Sequence, residues 1–494
     1  MDKPGTSTQS WAVAVGLFLI LSPLGAARIK HIKGSSDRRY AAFNNPLSKR
    51  ERFHHALARL TFGPRPGDLQ QIEHTGLDQW IQGQLYPEKI SENPSVTDRL
   101  RPYDSLRMSI HENYAHYPSP QLIQAAARGS GRLPDDPELR AIVVRLAYRY
   151  IQKKQAGVGS GEPVFNRAVQ TPEDSNSQLK IKLPELLSPV EIDILEKGSP
   201  EQRKDLLASI PPAKQLDFAW ALQPRERQKL VDLAPVGFRR VLMLAANPQS
   251  VIVTDLAESK LLRAIYSTHQ LQELLVDFWF NHFNVFVEKG TEPYLLPSYE
   301  REAIRPHVLG KFHDLLLATA KSPAMLFYLD NWQSVGPETQ DWRSFAQQKR
   351  TRGLNENYGR ELLELHTLGV DAGYTQKDVI EVARCFTGWT IQPPEKGGEF
   401  EYNDKVHDHG EKVVLGHVIP AGGGMSDGLM ELDILARHPA TAHFISLKLA
   451  QKFVADDPPP SLVERMAKTF SRTDGDLRQV MQTMLKSREF WSQG

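Results

Sequence analysis

The composition of the 494-residue chain restricts the classes of protein to which it can belong. Hydrophobic residues make up 40% and charged residues 24%, which is typical of a soluble globular protein with room for two or three domains. The formal net charge of +1, from 60 basic and 59 acidic residues, provides no overall field that would favour nucleic acid or an anionic membrane surface. The single cysteine, Cys385, excludes an intrachain disulfide and a cysteine-rich zinc site.

The N-terminal segment, residues 1–27, predicts a signal peptide or an N-terminal membrane anchor. Residues 11–21 form an uninterrupted apolar run, and the small residues of "SPLGAA" offer a cleavage site near Ala27. We expect an exported protein, either periplasmic or extracellular. The alternative is membrane attachment through residues 11–27, because this stretch nears spanning length and the basic residues after it oppose translocation.

An irregular tether followed by helices is predicted next. Residues 28–48 are basic and lack regular spacing, which is typical of a tether. Phe53, Leu57 and Leu60 then recur at helical spacing, and "FGPRPG" ends that helix. Residues 49–155 therefore predict an N-terminal helical part.

Residues 156–245 predict an insertion made of a linker and an array of short helices. Residues 156–178 are rich in Gly, Ser and Pro, which is typical of a mobile linker. Prolines then recur every 11 or 12 residues and open units such as "SPEQRKDLLASI": Pro189, Pro200, Pro212, Pro224 and Pro235. Such short helices cannot bury their apolar faces alone, so we expect them to stack as a spacer or packing surface.

The rest of the chain predicts helices interrupted once by β-structure. Residues 246–390 have helical patterns and contain the main motifs. Residues 391–424 are rich in glycine, valine and aromatic residues in rough alternation, which predicts a small β-hairpin insert. Helices return over residues 425–494. The predicted fold class is mostly α: a large multi-helix globular body with a small β-hairpin insert and a short Pro-spaced helical array.

Several long stretches of the sequence resemble the bacterial domain-of-unknown-function 1800 family. They are "HALARLTFGPRPGDL", "LLVDFWFNHFNV", "NENYGRELLELHTLGVDAGYTQKDVIEVARCFTGW", "HDHGEKVVLGHVI" and "HPATAHFISLKLAQKFV". The resemblance spans about residues 50–492 in the same order, and the Pro-spaced array is its least typical part. It implies a largely helical, exported protein, and it implies no particular activity.

The first candidate site is the "NENYGRELLELHTLG" helix. Asn357, Glu361 and Glu364 share one face, and two carboxylates a turn apart suit acid–base catalysis or a divalent metal. The alternative is a solvated face, or ion pairs with Arg360 and Arg384. The predicted apolar stripe of this helix consists of Tyr358, Leu362, Leu365 and Leu368.

The second candidate site is the "VDFWFNHF" stretch. Its polar stripe has members at spacings of four, four and three: Glu273, Asp277, Asn281 and Asn284. Trp279, His282 and Phe286 lie on another face. Aromatic rings beside amides are typical of a cleft for sugars, so Trp279, Asn281 and His282 are predicted ligand contacts. The alternative is that Trp279 belongs to the core and His282 is a hydrogen-bonded core histidine.

The third candidate is "VHDHGEK". His407 and His409 alternate, so on a strand both would face one way, as metal ligands can. However, His407, Asp408, Gly410 and Lys412 match the family pattern, and His409 does not. We therefore predict His407 as a general acid or base and Asp408 as a ligand contact, with no metal site.

A fourth pattern, "GMSDG" at residues 424–428, satisfies G-x-S-x-G. A nucleophile elbow needs a strand directly before it, whereas "PAGGG" reads as a loop. Ser426 is therefore predicted to cap the following helix. The sequence contains no Walker loop, Rossmann fingerprint or HExxH motif, so it indicates no cofactor.

Two functions remain open at this point. The first is an exported, enzyme-like protein that acts on an extracellular polar polymer such as a polysaccharide. Its catalytic residues would be Glu361, Glu364 and His407, and its ligand contacts Asn357, Trp279, Asn281, His282 and Asp408. The alternative is a non-catalytic cell-surface or scaffold protein, and no nucleic-acid partner is expected for either. Convergence of the three motifs in a concave pocket would favour the first function, whereas motifs that are scattered or buried in ion pairs would favour the second.

Overall fold

Helices provide nearly all the regular structure of the described residues, which are 39–156, 181–337 and 353–494 of this computed structural model. Outside these ranges lie three predicted segments in whole or in part: the signal peptide or anchor (1–27), the tether (28–48) and the linker (156–178). Within the described ranges, no helix combines the length and the apolar character that crossing a membrane requires.

The helices confirm the mostly-α prediction. The N-terminal helices are α1 (Lys49–Leu60), α2 (Asp68–Thr75), α3 (Leu77–Leu85), α4 (Pro94–Leu100), α5 (Ile110–His116), α6 (Pro120–Ala127) and α7 (Pro137–Ala156). The array consists of α8 (Leu183–Leu186), α9 (Pro189–Lys197), α10 (Pro200–Ser209), α11 (Pro212–Ala221), α12 (Pro224–Val231) and α13 (Val236–Leu244).

The central and C-terminal helices form the body that carries the motifs. The central ones are α14 (Pro248–Tyr266), α15 (Gln270–His282), α16 (Glu292–Ser298), α17 (Phe312–Lys321), α18 (Pro323–Tyr328), α19 (Glu356–Glu361) and α20 (Gln376–Cys385). The last four are α21 (Met425–Arg437), α22 (Pro439–Phe453), α23 (Pro460–Arg472) and α24 (Leu477–Leu485).

Four of the five predicted prolines begin a helix of the array, as predicted, and Pro235 is the N-cap of α13. Pro189 is the first residue of α9, where its missing N–H would have no partner within the helix. Ser188 and Glu191 close a capping box in front of it, with the Ser188 N–H 2.7 Å from the Glu191 carboxylate. The array and α7 share a separate apolar cluster that includes Ile142, Leu207 and Phe238. Stacking therefore buries the faces that single short helices would expose.

The main core lies among α15–α17, α19, α20 and the four C-terminal helices. Its largest fully buried side chains include Trp279, Tyr294, Phe312, Tyr358 and Phe386. Because these residues come from distant parts of the sequence, the motifs are held on one packed body.

The β-structure consists of two short antiparallel hairpins among the described residues. Strand β1 (Trp389–Ile391) pairs with β2 (Phe400–Tyr402), and β3 (Lys412–Val414) pairs with β4 (His417–Ile419). The second hairpin turns at Leu415 and Gly416, whose φ angles of +49° and +81° suit a two-residue turn. The small β-hairpin insert is thus confirmed.

Among the residues that the structure describes, two helical segments adopt the wide π turn, Tyr299–Ile304 and Leu362–Thr367. The second of these changes the register of the first candidate motif. Leu365 is 49% exposed, whereas Leu363 and His366 are buried. The predicted placement of Leu365 on the apolar stripe is therefore wrong, because a π turn holds more residues than the α turn that the spacing assumed.

Candidate functional site

The carboxylate face, defined as Asn357, Glu361, Glu364 and Tyr374, lies where α19 passes into the π segment. Asn357 is exposed, and both glutamates are partly exposed. The Tyr374 hydroxyl donates a 3.0 Å hydrogen bond to Glu364 Oε2. Burial, and then the neighbouring Glu364 charge, raise the pKa of Glu361, with Arg360 opposing them. The pair can therefore hold a proton on one member at higher pH than an isolated carboxyl would.

The arginines considered as partners of these glutamates bind elsewhere. Arg360 Nη2 donates to Gln376 Oε1 at 2.8 Å, and Arg384 forms ion pairs with Glu381 and Asp408. The carboxylate face thus lacks the arginine ion pairs that the alternative interpretation assumed.

Residues of the second motif support the π segment from inside. The His282 imidazole donates from Nε2 to the His366 carbonyl at 3.1 Å, and burial lowers the pKa of His282 to about 4. Trp279 is fully buried and donates from Nε1 to the Val308 carbonyl at 3.3 Å. Asn281 alone of the three predicted ligand contacts of this stretch is exposed. The two motifs therefore meet through His282, whereas Trp279 packs in the core.

The third motif lies in a buried ion network, defined as Glu381, Arg384, His407, Asp408, Lys412 and Asp427. Lys412 Nζ lies 2.6 Å from Asp427 Oδ2 and 2.9 Å from the Gly410 carbonyl, and it also contacts the Asp408 carbonyl. His407 Nε2 lies 3.1 Å from the same Asp427 oxygen, and Nδ1 lies 2.7 Å from the Thr387 carbonyl.

This network has almost no contact with solvent. The side chains of His407 and Lys412 are 0% exposed and that of Asp427 is 1% exposed. At the network's edge, Arg384 Nε donates to Asp408 Oδ2 at 2.8 Å. The network joins the β3–β4 hairpin to α20 and α21, and both ring nitrogens of His407 are engaged within it.

Sequence reasoning missed the acidic residues that α21 contributes. Asp427 belongs to the "GMSDG" pattern, but its partners His407 and Lys412 lie 20 and 15 residues away in the sequence. Glu431, one turn further along, is fully buried, and neither carboxylate oxygen has a hydrogen-bond partner within the described part of the chain. Burial raises the pKa of Glu431 to about 8. Asp427 and Glu431 lie four apart and in line with the buried Leu435, and this placement of acidic residues on the apolar face of α21 was the available signal.

Two neighbouring features complete this region. Cys385, at the end of α20, is fully buried, and burial together with Glu431 raises the pKa of its thiol. Ser426 is exposed and donates from Oγ to the Gly423 carbonyl at 2.7 Å. Gly424 occupies the N-cap of α21, so the predicted cap at Ser426 is wrong. Because His407 is bound to Asp427 and Thr387, Ser426 forms no catalytic triad with it.

The predicted site residues therefore occupy two layers. Asn357, Glu361 and Glu364 lie at the surface, and His407, Asp408 and Trp279 lie beneath it. Four cavities of the described chain have volumes of about 310, 210, 360 and 260 Å³, and none of these four is lined by the carboxylate face or the buried ion network. Within the described residues, no group of three or more His, Cys, Asp or Glu side chains is arranged to hold a metal ion.

These features define a mostly helical protein with a β-hairpin insert fixed by an internal ion network, and with a partly exposed carboxylate pair where α19 passes into the π segment. The sequence model of the family described as "Protein of unknown function (DUF1800)" matches residues 55–494. The chain belongs to this family, in agreement with the resemblance of its motifs. No curated protein and no solved structure matches the chain.

Proposed function

We propose that this chain is an exported, enzyme-like protein that acts on an extracellular polar polymer such as a polysaccharide. The observation that carries the proposal is the partly exposed Glu361–Glu364 pair, in which burial and the second carboxylate raise the pKa of Glu361. Hydrolysis of a glycosidic bond uses one carboxyl group as an acid and a second carboxylate as base or nucleophile. When the surroundings give two neighbouring carboxyls different pKa values, the carboxyl with the higher pKa acts as the acid and the other remains ionised.

In this proposal Glu361 is the general acid and Glu364 is the carboxylate partner. The Tyr374 hydroxyl fixes the Glu364 side chain by its 3.0 Å hydrogen bond. The exposed amides of Asn357 and Asn281 contact substrate hydroxyls. Amides suit this role because each offers both donors and an acceptor.

The remaining motif residues act as positioning residues. His282 holds the His366 carbonyl within the π segment, and Trp279 packs edge-on against His282 with ring centroids 5.3 Å apart. Asp408 binds Arg384 on α20, on which α19 packs, and His407 binds Asp427 on α21. These contacts fix the backbone that carries both glutamates.

A second candidate function is that of a non-catalytic cell-surface or scaffold protein. It is favoured by the burial of His407, Asp408 and Trp279, which removes three predicted site residues from contact with any ligand in this conformation. In that case the motif residues serve to hold the helical body together.

The deciding experiment is an assay of reducing-end release from a panel of neutral and acidic polysaccharides. We expect Glu361→Gln and Glu364→Gln each to lower the rate at least 100-fold, because loss of an acid–base group typically costs that much. Glu356→Gln is the matched control, since Glu356 lies on α19 and accepts only from Gln376 at 2.6 Å among its hydrogen bonds with the described residues. Equal rates for Glu361→Gln and Glu356→Gln, or no release by the wild-type protein, would support the scaffold function instead.

The export component has its own measurement. Because residues 1–27 have the pattern of a signal peptide, mature protein from the native host should begin near Arg28. N-terminal sequencing that recovers Trp11 in a membrane fraction would support the anchor.

A further inference from the structure

The cavity of about 310 Å³ between α4, α14 and the first π segment has an unusual concentration of charge. We call it the arginine cavity, and its charged lining residues are Glu92, Arg107, Arg263, Glu300, Arg301 and Arg305. Its remaining wall is largely apolar and includes Leu100, Leu106 and Leu256. Apolar walls with a few convergent polar groups are typical of small-molecule sites, and this volume is at the lower end of their range.

Glu300 gives the cavity an unused hydrogen-bond acceptor. Its side chain is only 9% exposed, and Oε1 accepts from Arg305 Nη2 at 2.9 Å. Glu300 Oε2 is buried and has no hydrogen-bond partner among the described residues. Although burial opposes ionisation, Arg305 and other nearby cations lower the pKa of Glu300. The free oxygen therefore remains a charged acceptor that a ligand hydroxyl can satisfy.

Arg263 gives the cavity a cation whose charge Glu273, Glu300 and Glu92 offset only in part. Its Nη1 approaches Glu273 Oε1 only to 3.9 Å, whereas Arg305 Nη1 lies 2.7 Å from the same oxygen. Burial, and then the Arg305 charge, lower the pKa of Arg263. An anion bound to Arg263 would offset both the cost of burying its charge and the repulsion from Arg305.

Arg107 adds a fixed positive charge at the rim. Its guanidinium donates to three backbone carbonyls, those of Leu100, Arg101 and Tyr103, at 2.9–3.3 Å. Carbonyl acceptors orient the guanidinium but do not neutralise its charge. The Arg107 side chain is therefore held in place with charge available to a ligand.

The backbone that forms the cavity wall is itself irregular. The π segment Tyr299–Ile304 carries Glu300 and Arg301 to the lining, and a 3₁₀ turn at Arg305–His307 follows it directly. Single π turns within helices are found frequently at functional sites.

We infer that the arginine cavity binds a single acidic sugar unit, with the sugar carboxylate at Arg263 and a ring hydroxyl donating to Glu300 Oε2. The apolar wall covers the C–H face of the ring, and Arg107 closes the rim beside the carboxylate. A neutral sugar would leave Arg263 with only the partial compensation that the nearby carboxylates provide, and a simple inorganic anion would leave Glu300 Oε2 without a hydrogen-bond donor. The ligand therefore needs both an anionic group and hydroxyl donors.

This site is separate from the carboxylate face. Glu273, behind the cavity, and His282, beneath the carboxylate face, are nine residues apart on α15, which corresponds to roughly 14 Å along the helix. The inference therefore does not depend on the proposed catalytic role of Glu361 and Glu364.

The test is calorimetric titration of the full-length protein with sodium glucuronate, glucose and sodium sulfate. We expect glucuronate to bind at least tenfold more tightly than either comparison compound. Glucose retains the ring hydroxyls and lacks the carboxylate, whereas sulfate retains the negative charge and lacks the hydroxyl donors.

Variants of the cavity identify the contacts. Arg263→Gln should weaken glucuronate binding at least tenfold, and Glu300→Gln should weaken both sugars. Arg360→Gln is the control, because Arg360 lies next to the carboxylate face and should leave glucuronate binding unchanged. If Arg263→Gln does not fold, Arg107→Gln at the exposed rim should still weaken glucuronate binding at least threefold.

Several results would overturn the inference. They are absence of glucuronate binding at 10 mM (about the weakest affinity that a specific site would show), equal affinity for glucose or sulfate, and unchanged affinity in both arginine variants. A loss of binding in Arg360→Gln alone would instead place the sugar at the carboxylate face. Since the readout is binding, failure here leaves the catalytic proposal to its own assay.

Discussion

At the scale of single residues, the proton on Glu361 links the proposed catalysis to a stability measurement. Because the pKa of Glu361 is raised in the folded protein, the folded state binds this proton more tightly than the unfolded state. The resulting stability is fully present below the unfolded pKa of about 4.3 and is lost as pH rises through the folded pKa. Glu361→Gln should therefore raise the Tm at pH 7 and leave it nearly unchanged at pH 4.

Thermal melts of Glu361→Gln and Glu356→Gln at both pH values would check this. Glu356→Gln should stay within about 0.5 kcal/mol of wild type, as surface changes usually do. A Tm several degrees below wild type for Glu361→Gln at pH 7 would show a structural ion pair and contradict the site.

Replacement of Asp427 tests the buried ion network, and here we expect a loss of stability where Glu361→Gln should give a gain. Asp427→Asn leaves Lys412 with a buried charge and no carboxylate at its 2.6 Å contact. Breaking a buried ion pair by removing one partner costs on the order of 3–5 kcal/mol. Urea unfolding should show this loss for Asp427→Asn. The control Asp404→Asn alters a side chain that is 68% exposed and should change stability by less than about 0.5 kcal/mol.

At the scale of secondary-structure elements, the contact between α19 and α20 depends on a glycine. A Cβ atom on Gly359 would lie 2.7 Å from the Val379 carbonyl oxygen and 3.1 Å from the Ala383 nitrogen. Both neighbouring atoms belong to the backbone, so relief requires the helices to separate. Gly359→Ala should destabilise the protein by about 1–3 kcal/mol.

Gly237 supplies the matched control for this change. It lies within α13, and a Cβ atom there would meet nothing within 4 Å. Gly237→Ala should therefore stabilise the protein by about 0.4–1 kcal/mol, because it restricts the unfolded chain. Denaturant midpoints that fail to separate the two variants would refute the close approach of α19 and α20.

The elements also show which features the sequence could predict. The array was predictable because its signals are local: Pro189 begins a helix and Ser188 caps it within four residues. The π segment Leu362–Thr367 was not predictable, because α and π turns contain the same types of residue. Packing against the core determines that Leu363 is buried and Leu365 is exposed. The Lys412–Asp427 pair was not predictable either, since its two members come from separate elements.

For the candidate site as well, local features could be predicted from the sequence, whereas contacts between distant residues could not. Asn357, Glu361 and Glu364 could be grouped from spacing because they lie on one continuous helical segment. The contact between His282 and the His366 carbonyl joins positions 84 residues apart, and no spacing rule reports it. Arg263 and Glu300 were not singled out at all, because only the fold brings them to the same cavity wall.

At the scale of the whole molecule, buried carboxyl groups predict a loss of stability at alkaline pH. Burial raises the pKa of Glu292 to about 9 and that of Glu431 to about 8. At pH values between the pKa of an unfolded glutamate and these raised pKa values, the folded protein binds more protons than the unfolded chain. Its stability therefore falls as pH rises through this range. Each carboxyl contributes a slope of up to about 1.4 kcal/mol per pH unit.

The range from pH 7.5 to 8.5 isolates this effect. Burial lowers the pKa of His55 and His282 to about 4, so these histidines take up protons on unfolding from that pH up to about one unit above the unfolded pKa of about 6.5, and their effect on stability is nearly complete below this range. Urea unfolding at pH 7.5, 8 and 8.5 should show falling stability for the wild type and a shallower fall for Glu292→Gln and Glu431→Gln. A flat wild-type profile would mean that both carboxylates are ionised in the folded protein.

The burial of Cys385 makes the chain's single thiol a kinetic reporter. The residue is 0% exposed at the end of α20, beside the elements that the buried ion network joins. A thiol reagent can reach it only when this part of the body opens, so the labelling rate in the native protein counts those openings. Because no second thiol competes, the count refers to one known place in the molecule. The labelling rate of Cys385 therefore measures how often the hairpin and the helices around the motifs open.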